Sequence, residues 1–195
     1  MRRVVVTGMS GVTALGHDWP TIRTALAAGR TAIRPMAEWE RFHGINTRLA
    51  APILDFALDE RHPRKKLRTM GRVSRMAVQA TDQALLAAGL RDDPVLTSGR
   101  TGIAYGSSYG SPQPVIAFAE LMTHGTSRTL NATSYIQMMS HTAAVNIGLL
   151  FGITGRVIPT STACTSGSQA IGYGAEAIRW GKADVMVAGG AEELD

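Results

Sequence analysis

Residues 156–172 read RVIPTSTACTSGSQAIG and contain a lone cysteine, Cys164, at a junction between two patterns. The residues before it predict a strand over 156–163, and those after it predict a helix over 166–180. Small residues flank the sulfur on both sides, so the backbone can turn sharply there and a substrate can come close. This strand–turn–helix stretch constrains the fold and the chemistry more than any other part of the sequence.

A cysteine directly before a helix has the surroundings that a nucleophile requires. The first turn of a helix presents unpaired N–H groups and a partial positive charge, which favour a negatively charged sulfur. Those N–H groups, including the backbone N–H of Cys164, can support an oxyanion on an attacked carbonyl, as acyl transfer through a thioester requires. Free cysteines are also often small buried hydrophobes, so the residues alone leave both interpretations open.

The rest of the chain continues the alternation of strands and helices. The sequence predicts a short buried strand at 4–6, helices at 19–28, 73–88 and 133–150, and strands at 101–105 and 183–188. Asp18 is the candidate N-cap of the first helix, while Gly29 and Gly89 follow the ends of two helices. Residues 35–70 read as irregular.

Strands separated by helices predict an α/β fold, with a mixed, mainly parallel sheet covered by helices on both faces. The chain stops directly after the strand at 183–188, which looks central to the sheet. A central strand is an unusual place for a natural C-terminus, so we expect the chain to be part of a longer protein.

The composition is that of an ordinary globular domain, with 195 residues, 45% apolar and 18% charged. No apolar stretch approaches the length of a membrane span, and the N-terminus lacks the features of a signal peptide, so we expect a cytoplasmic protein without a membrane partner. One cysteine and five widely spaced histidines argue against a metal site. A net charge of +5 suggests an acidic partner but is too small to indicate nucleic acid.

Four motifs together identify a family. They are VVVTGMSGVTALG at 4–16, GIAYGS at 102–107, TACTSG at 162–167 and ADVMVAGGAE at 183–192. In combination they resemble the elongating β-ketoacyl-acyl-carrier-protein (ACP) synthases, over essentially the whole chain. The resemblance implies a thiolase-like fold built from two similar halves, of which residues 1–195 would be the N-terminal, nucleophile-bearing half.

The resemblance also implies a reaction and its partners. Cys164 would accept an acyl group from acyl-ACP or acyl-CoA, and malonyl-ACP would lose carbon dioxide and attack the resulting thioester. ACP would be the partner protein, with its phosphopantetheine as the only carrier group and no further cofactor, and the synthase would be a homodimer or a heterodimer. The family's two catalytic histidines belong to the C-terminal half, so we expect residues 1–195 alone not to condense malonyl-ACP.

Several positions match the family's acyl pocket, namely Tyr109, Tyr135, Met138 and Ala163. Tyr109 stands where a smaller aliphatic residue is usual, so its ring would shorten or flatten the pocket. Ordinary core packing is the alternative for each of these positions, and for Met138 it is equally supported. Gln169 and Ala170 also depart from the fatty-acid members, which commonly carry His and a polar residue there. These departures, with the divergent loop at 35–60, are similar to synthases of specialised pathways such as aryl-polyene assembly.

A dense basic run, RHPRKKLR, occupies residues 61–68 and is followed by further arginines. Such runs are usually solvated surfaces. In the related synthases a basic patch at this point meets the acidic helix of ACP, which implies docking through Arg64, Lys65, Lys66, Arg68 and Arg72. The absence of interleaved aromatic residues argues against nucleic acid.

Two other functions are compatible with the family. A catalytically incomplete or chain-length-factor-like subunit would shape a partner's pocket, but such factors lack the cysteine that this chain carries at Cys164. A thiolase or a CoA-primed starter synthase would usually differ in the residues around the cysteine.

Overall fold

The computed structural model describes residues 1–58 and 62–194. Its helices are α1 (Trp19–Ala27), α2 (Arg64–Leu67), α3 (Arg72–Ala87), α4 (Gln113–His124), α5 (Ser134–Gln137), α6 (Thr142–Phe151) and α7 (Ser166–Arg179). Its strands are β1 (Arg34–Pro35), β2 (Leu49–Ala50), β3 (Thr101–Gly106), β4 (Val157–Thr160) and β5 (Val185–Gly190). Two short 3-10 helices cover Ala37–Trp39 and Pro94–Thr97.

The main sheet has the strand order β4-β3-β5, and both pairings are parallel. Ala104 in β3 aligns with Ile158 on one side and with Ala188 on the other. Helices α4 to α6 connect β3 to β4, and α7 connects β4 to β5, as parallel strands require. A separate antiparallel pair joins β1 to β2. The predicted α/β architecture is therefore confirmed.

Helices cover both faces of the sheet. Ile103 and Tyr105 pack into a core with Ile147 of α6 and with residues of α3. The alternate residue Gly106 faces the other side, because a Cβ built there would lie 2.5 Å from the Cβ of Ser166 in α7. The missing side chain at Gly106 lets α7 begin directly against the central strand, and this contact positions the segment that holds the cysteine.

The capped helices agree with the sequence predictions. The side chain of Asp18 accepts a hydrogen bond from the backbone N–H of Thr21 at the start of α1. Gly29 and Gly89 both have left-handed backbone, with φ of 64° and 70°. Their position just beyond α1 and α3 is the one in which glycine ends a helix with little strain.

The predicted buried strand at residues 4–6 is wrong. Val5 is 60% exposed and Val6 is 80% exposed, and the segment is not assigned as a strand. A run of β-branched residues favours extended backbone, but it forms a strand only where a neighbour completes the hydrogen-bond ladder. No strand among the described residues pairs with this segment.

The prediction that 183–188 forms a central strand is also wrong for the described sheet. β5 pairs only with β3 there, and its residues are partly buried or exposed. β3 lies in the middle and is buried along its whole length. Apolar composition predicts that a strand is buried, but it does not say which strand receives two neighbours.

The predicted helix at 133–150 is two helices, α5 and α6, separated by residues 138–141. The hydroxyl of Thr142 donates to the carbonyl of Met139, and the backbone N–H of Ser111 donates to the carbonyl of Gln137. Helix α4 was not predicted at all, although Pro114 near its start and Gly125 after its end are the usual signals. Its apolar residues are largely exposed, so they do not form the one-sided apolar stripe that marks a helix in the sequence.

Candidate active site

Cys164 lies between β4 and α7, two residues before the first residue of the helix, and its side chain is exposed. The preceding residue, Ala163, has a φ of 50°, and among the described residues it is the only non-glycine residue with a positive φ. A left-handed alanine costs about 1–2 kcal/mol, and such strain persists where the surroundings fix the backbone. The predicted sharp turn beside an accessible sulfur is present.

Ser166, the first residue of α7, holds this turn in place. Its backbone N–H and its hydroxyl donate to the carbonyl of Ala163, at 3.0 Å and 2.7 Å. The same hydroxyl accepts from the backbone N–H of Thr162 at 2.9 Å. From the end of β4, the hydroxyl of Thr160 donates to the carbonyl of Ser166 at 2.9 Å. Both Ser166 and Thr160 are buried. Hydrogen bonds therefore fix the backbone on both sides of the cysteine.

Gln169, one turn into α7, links two further side chains near the cysteine. Its carbonyl oxygen accepts from the hydroxyl of Thr162 at 3.0 Å, and its amide nitrogen donates to the hydroxyl of Tyr173 at 3.2 Å. The departure from the family pattern at this position thus supplies a group that binds the turn at Cys164 to the helix.

The turn that carries Tyr109 packs beside the same end of the sheet. The hydroxyl of Ser161 lies 3.4 Å from the carbonyl oxygen of Ser108, to which it donates. Gly110 has a φ of 91°, and a Cβ built there would lie 2.8 Å from the carbonyl of Met138. The structure therefore brings the segments of Tyr109, Met138 and Ala163 together at the carboxyl ends of the strands.

The four predicted pocket residues differ in exposure. The side chain of Tyr109 is 46% exposed and that of Tyr135, on α5, is 64% exposed. Met138 is partly buried and Ala163 is exposed. Their role in binding an acyl chain stays a prediction.

The predicted docking residues lie on α2 and the start of α3. Four of the five line a cavity of about 1020 Å³, namely Arg64, Lys65, Arg68 and Arg72. The other lining residues are Phe56, Ala57, Leu58, His62, Leu67 and Arg75. Arg61, which begins the basic run, lies outside the described residues. The cavity is separate from Cys164, which is not among its lining residues.

The cationic residues are held to different degrees. Arg64, Lys65 and Arg68 are exposed, and the ammonium group of Lys66 donates to the carbonyl of Leu150 at 3.2 Å. Arg72 is bound within the fold, since it donates to the carbonyl of Ile53 and lies 3.7 Å from the carboxylate of Glu193. Arg72 is thus more tightly held than Arg64, Lys65 and Arg68.

Within residues 1–58 and 62–194, no group of three or more His, Cys, Asp or Glu side chains is arranged to hold a metal ion. No helix in that part of the chain is both long enough and apolar enough to cross a bilayer.

Sequence reasoning missed Thr160 and Ser166, which hold the turn at Cys164, and Glu192, whose carboxylate accepts from the backbone N–H of Ser108. From the sequence, the small polar residues around Cys164 predict only a turn. Glu192 lies in the motif at 183–192, but the sequence predicts no role for it. The run of Ser and Thr on both sides of the cysteine was the available signal, because hydroxyls bind nearby backbone groups in turns.

An exposed cysteine on a strained turn between a parallel strand and a helix is an arrangement suited to acyl transfer through a cysteine nucleophile. The sequence pattern of the family "Beta-ketoacyl synthase, N-terminal domain" matches residues 1–194, so the chain belongs to this family. The family predicted from the sequence motifs is thus confirmed.

The chain is similar to several known proteins. It is 34% identical over 194 residues to nodulation protein E of Rhizobium meliloti, covering 98% of this chain and 47% of that protein. It is 31% identical over 192 residues to 3-oxoacyl-(acyl-carrier-protein) synthase 2 of Vibrio cholerae, covering 98% of this chain and 46% of that protein. The crystal structure of a beta-ketoacyl synthase from Burkholderia phymatum matches with 53% identity and a TM-score of 0.92, covering 100% of this chain and 48% of that chain. The chain therefore spans about half the length of these relatives.

Proposed function

We propose that Cys164 is the nucleophile of a cytoplasmic acyltransferase that condenses an acyl thioester with malonyl-ACP to give a β-ketoacyl-ACP. The observation that carries this proposal is the exposed sulfur on the strained turn directly before α7. An accessible sulfur with a helix N-terminus behind it is suited to attack a thioester carbonyl. The cysteine also favours a synthase over a chain-length-factor-like subunit.

The first half of the proposed reaction transfers the acyl group to the protein. The thiolate of Cys164 attacks the carbonyl carbon of the acyl thioester, and the backbone N–H of Cys164 donates to the oxyanion that forms. The carrier thiolate then leaves and takes up a proton. The product is an acyl thioester on Cys164.

The second half forms the carbon–carbon bond. The malonyl thioester loses carbon dioxide, and the electron pair of the broken bond remains on its α-carbon as a carbanion. This carbanion attacks the carbonyl of the acyl group on Cys164, and the sulfur leaves as thiolate. The electrons balance without an oxidant or reductant, so we propose no cofactor besides the phosphopantetheine of ACP.

The acyl chain would pass the residues gathered at the carboxyl end of the sheet. Tyr109, Met138 and Ala163 support this proposal because their segments pack together beside the cysteine. Tyr135 would extend the same surface from α5. The ring of Tyr109 would limit the length or shape of the accepted chain.

ACP would dock on the basic residues of α2 and the start of α3. Arg64, Lys65 and Arg68 support this proposal because they are exposed and line one concave surface. An acidic carrier would gain encounter rate from such a surface, and the gain would fall with added salt.

We also propose that the protein works as a homodimer or a synthase heterodimer. Helix α4 exposes Phe118 to 53% and Met122 to 71%, and Tyr135 on α5 is 64% exposed. The two helices contact each other, and exposed apolar side chains grouped in this way usually mark an interface. Substitution Met122→Asp is expected to lower the molecular mass in sedimentation, and an unchanged mass would argue against this interface.

Acyl transfer to the sulfur is the direct test of the proposed function. The purified protein is mixed with acyl-ACP, and intact-protein mass spectrometry is used to detect a thioester adduct, which peptide mapping then assigns. We expect one acyl group on Cys164 and none in Cys164→Ala. Absence of any adduct on the wild-type protein, with the thiol still alkylated by iodoacetamide, would reject the proposal.

Condensation is expected to require more than residues 1–195. The family resemblance assigns decarboxylation to two histidines that match no position in this sequence. We therefore predict that the 195-residue chain does not condense malonyl-ACP, measured as carbon dioxide release. Sustained release that depends on Cys164 would contradict this prediction.

A further inference from the structure

Glu192, two residues beyond β5, binds the turn that follows β3. One oxygen of its carboxylate accepts from the backbone N–H of Ser108 at 2.7 Å, and the other accepts from the hydroxyl of Ser107 at 3.3 Å. The turn and the carboxylate come from segments about 85 residues apart in sequence. A single side chain thus ties the ends of two adjacent strands together.

The same carboxylate closes the base of the turn that carries Tyr109. The hydroxyl of Ser107, which donates to Glu192, also accepts from the backbone N–H of Gly110 at 3.0 Å. Tyr109 lies between these bonded residues with its side chain 46% exposed. Because Tyr109 is half exposed, the position of its ring depends on how the turn is held as well as on packing.

The turn at Tyr109 is also connected to the segment that carries Cys164. The backbone N–H of Ser107 donates to the carbonyl of Thr160 at 3.2 Å, and the hydroxyl of Ser161 donates to the carbonyl of Ser108 at 3.4 Å. Ser108 is thus bound by Glu192 through its N–H and by Ser161 through its carbonyl. Movement at Glu192 would shift Tyr109 relative to the cysteine.

We propose that Glu192 is a positioning residue that sets the place of Tyr109 beside Cys164, and thereby helps to select which chains reach the sulfur. This inference rests on the proposed function for the statement that acyl chains are what Cys164 receives. The position of the ring, and its effect on access to the sulfur, are properties of the fold that can be measured without acyl transfer.

The test compares two alkylating probes of different length on Cys164. The rate of labelling by N-dodecyl iodoacetamide is divided by the rate for iodoacetamide, which corrects for changes in the reactivity of the sulfur. We expect Glu192→Ala to raise this ratio at least fivefold, because the freed turn lets the ring of Tyr109 move aside. Tyr109→Ala should raise it at least as much.

Three further variants separate positioning from general loosening. Glu192→Gln should stay within twofold of wild type, since its amide can accept from the N–H of Ser108 and donate to the hydroxyl of Ser107. Glu38→Ala, which removes an exposed carboxylate elsewhere, should leave the ratio unchanged. In the double variant with Tyr109→Ala, Glu192→Ala should add nothing, because there is no ring left to position.

Two results would overturn the inference. One is a labelling ratio in Glu192→Ala no higher than in Glu38→Ala, and the other is a further rise in the double variant. If circular dichroism shows that Glu192→Ala does not fold, Ser107→Ala removes the same bridge and should raise the ratio in the same direction. A wild-type protein that is alkylated but never acylated would reject the proposed function and leave the labelling result to decide the role of Glu192.

Discussion

The turn at Cys164 and the basic surface of α2 differ in how they are built. Around the cysteine, buried hydroxyls of Ser166 and Thr160 bind backbone groups at 2.7 Å to 2.9 Å, and the helix begins in contact with the central strand. On α2, a helix of four residues presents exposed cations. A reacting atom must be held within a fraction of an ångström, whereas long-range attraction requires only charge in the right region. Substitutions in the first region should therefore cost stability, and those in the second should cost encounter rate.

The largest expected effect on the free energy of unfolding comes from Gly106→Ala. A Cβ at Gly106 would lie 2.5 Å from both the Cβ of Ser166 and the hydroxyl oxygen of Thr160, so α7 must move away from the sheet. We expect a loss of about 3 kcal/mol, at the upper end for overpacking, measured by urea denaturation. Gly172→Ala in α7 is the matched control, since nothing lies within 4 Å of the added Cβ.

The control should be neutral or stabilising by up to about 1 kcal/mol, because alanine favours helix over glycine. Equal unfolding free energies for the two glycine variants would show that the contact between Gly106 and α7 is not tight, and would break the contrast between the two regions.

A smaller loss is expected for Ser166→Ala, which removes the hydroxyl that binds both Thr162 and Ala163. The N–H of Thr162 would lose its acceptor, so the cost should be about 1–3 kcal/mol. The left-handed turn at Ala163 should also relax, which would change the iodoacetamide labelling rate of Cys164. The exposed Ser168→Ala should change neither quantity, and identical behaviour of the two serine variants would contradict the role given to Ser166.

The sequence predicted local features well and long-range ones poorly. Asp18 could be recognised as an N-cap because its partner, Thr21, is three residues away. The turn at Cys164 could be predicted because the strand pattern and the helix pattern meet there. Glu192 could not be given a role, because its partners Ser107 and Ser108 become neighbours only when β3 and β5 pair.

The same reasoning explains the two errors in the sheet. The valines at residues 4–6 have strand propensity, yet a ladder depends on a partner that local sequence does not specify. β5 is as apolar as a central strand, but the order β4-β3-β5 puts it at the edge of the described sheet. Local patterns determine what a segment can become, and the tertiary fold determines which neighbours it has.

A cluster of ion pairs lies at the opposite end of the sheet, where surface charges stabilise the fold. Hydrogen bonds from Arg100, and then from Arg2, hold the pKa of Asp184 well below its ordinary value of 3.8. Because the pKa is lower in the folded state, the stabilisation is fully present above about pH 4 and is lost as the pH falls below that value.

Asp184→Asn should therefore lower the unfolding free energy slightly at neutral pH, because exposed ion pairs contribute little, and should remove an equally small part of its decrease below about pH 4. Urea denaturation across that range measures the slope. The exposed Asp92→Asn is the control and should keep the wild-type slope. Parallel slopes for the two variants would show that the Asp184 cluster does not stabilise the fold.

The smallest effect on stability, within about 0.5 kcal/mol, is expected for the double charge reversal Arg64→Glu with Lys65→Glu, because both side chains are exposed. Acylation by acyl-ACP should nevertheless slow by about tenfold at low salt, and the difference should shrink as salt screens the attraction. Acylation by an uncharged acyl-N-acetylcysteamine should not change, since that donor gains nothing from a basic surface. Arg23→Glu with Arg30→Glu alters net charge equally on α1 and just beyond it, so it separates docking from overall charge. Equal slowing by the two reversals would assign the effect to net charge, and the basic surface of α2 would then have no specific part in carrier docking.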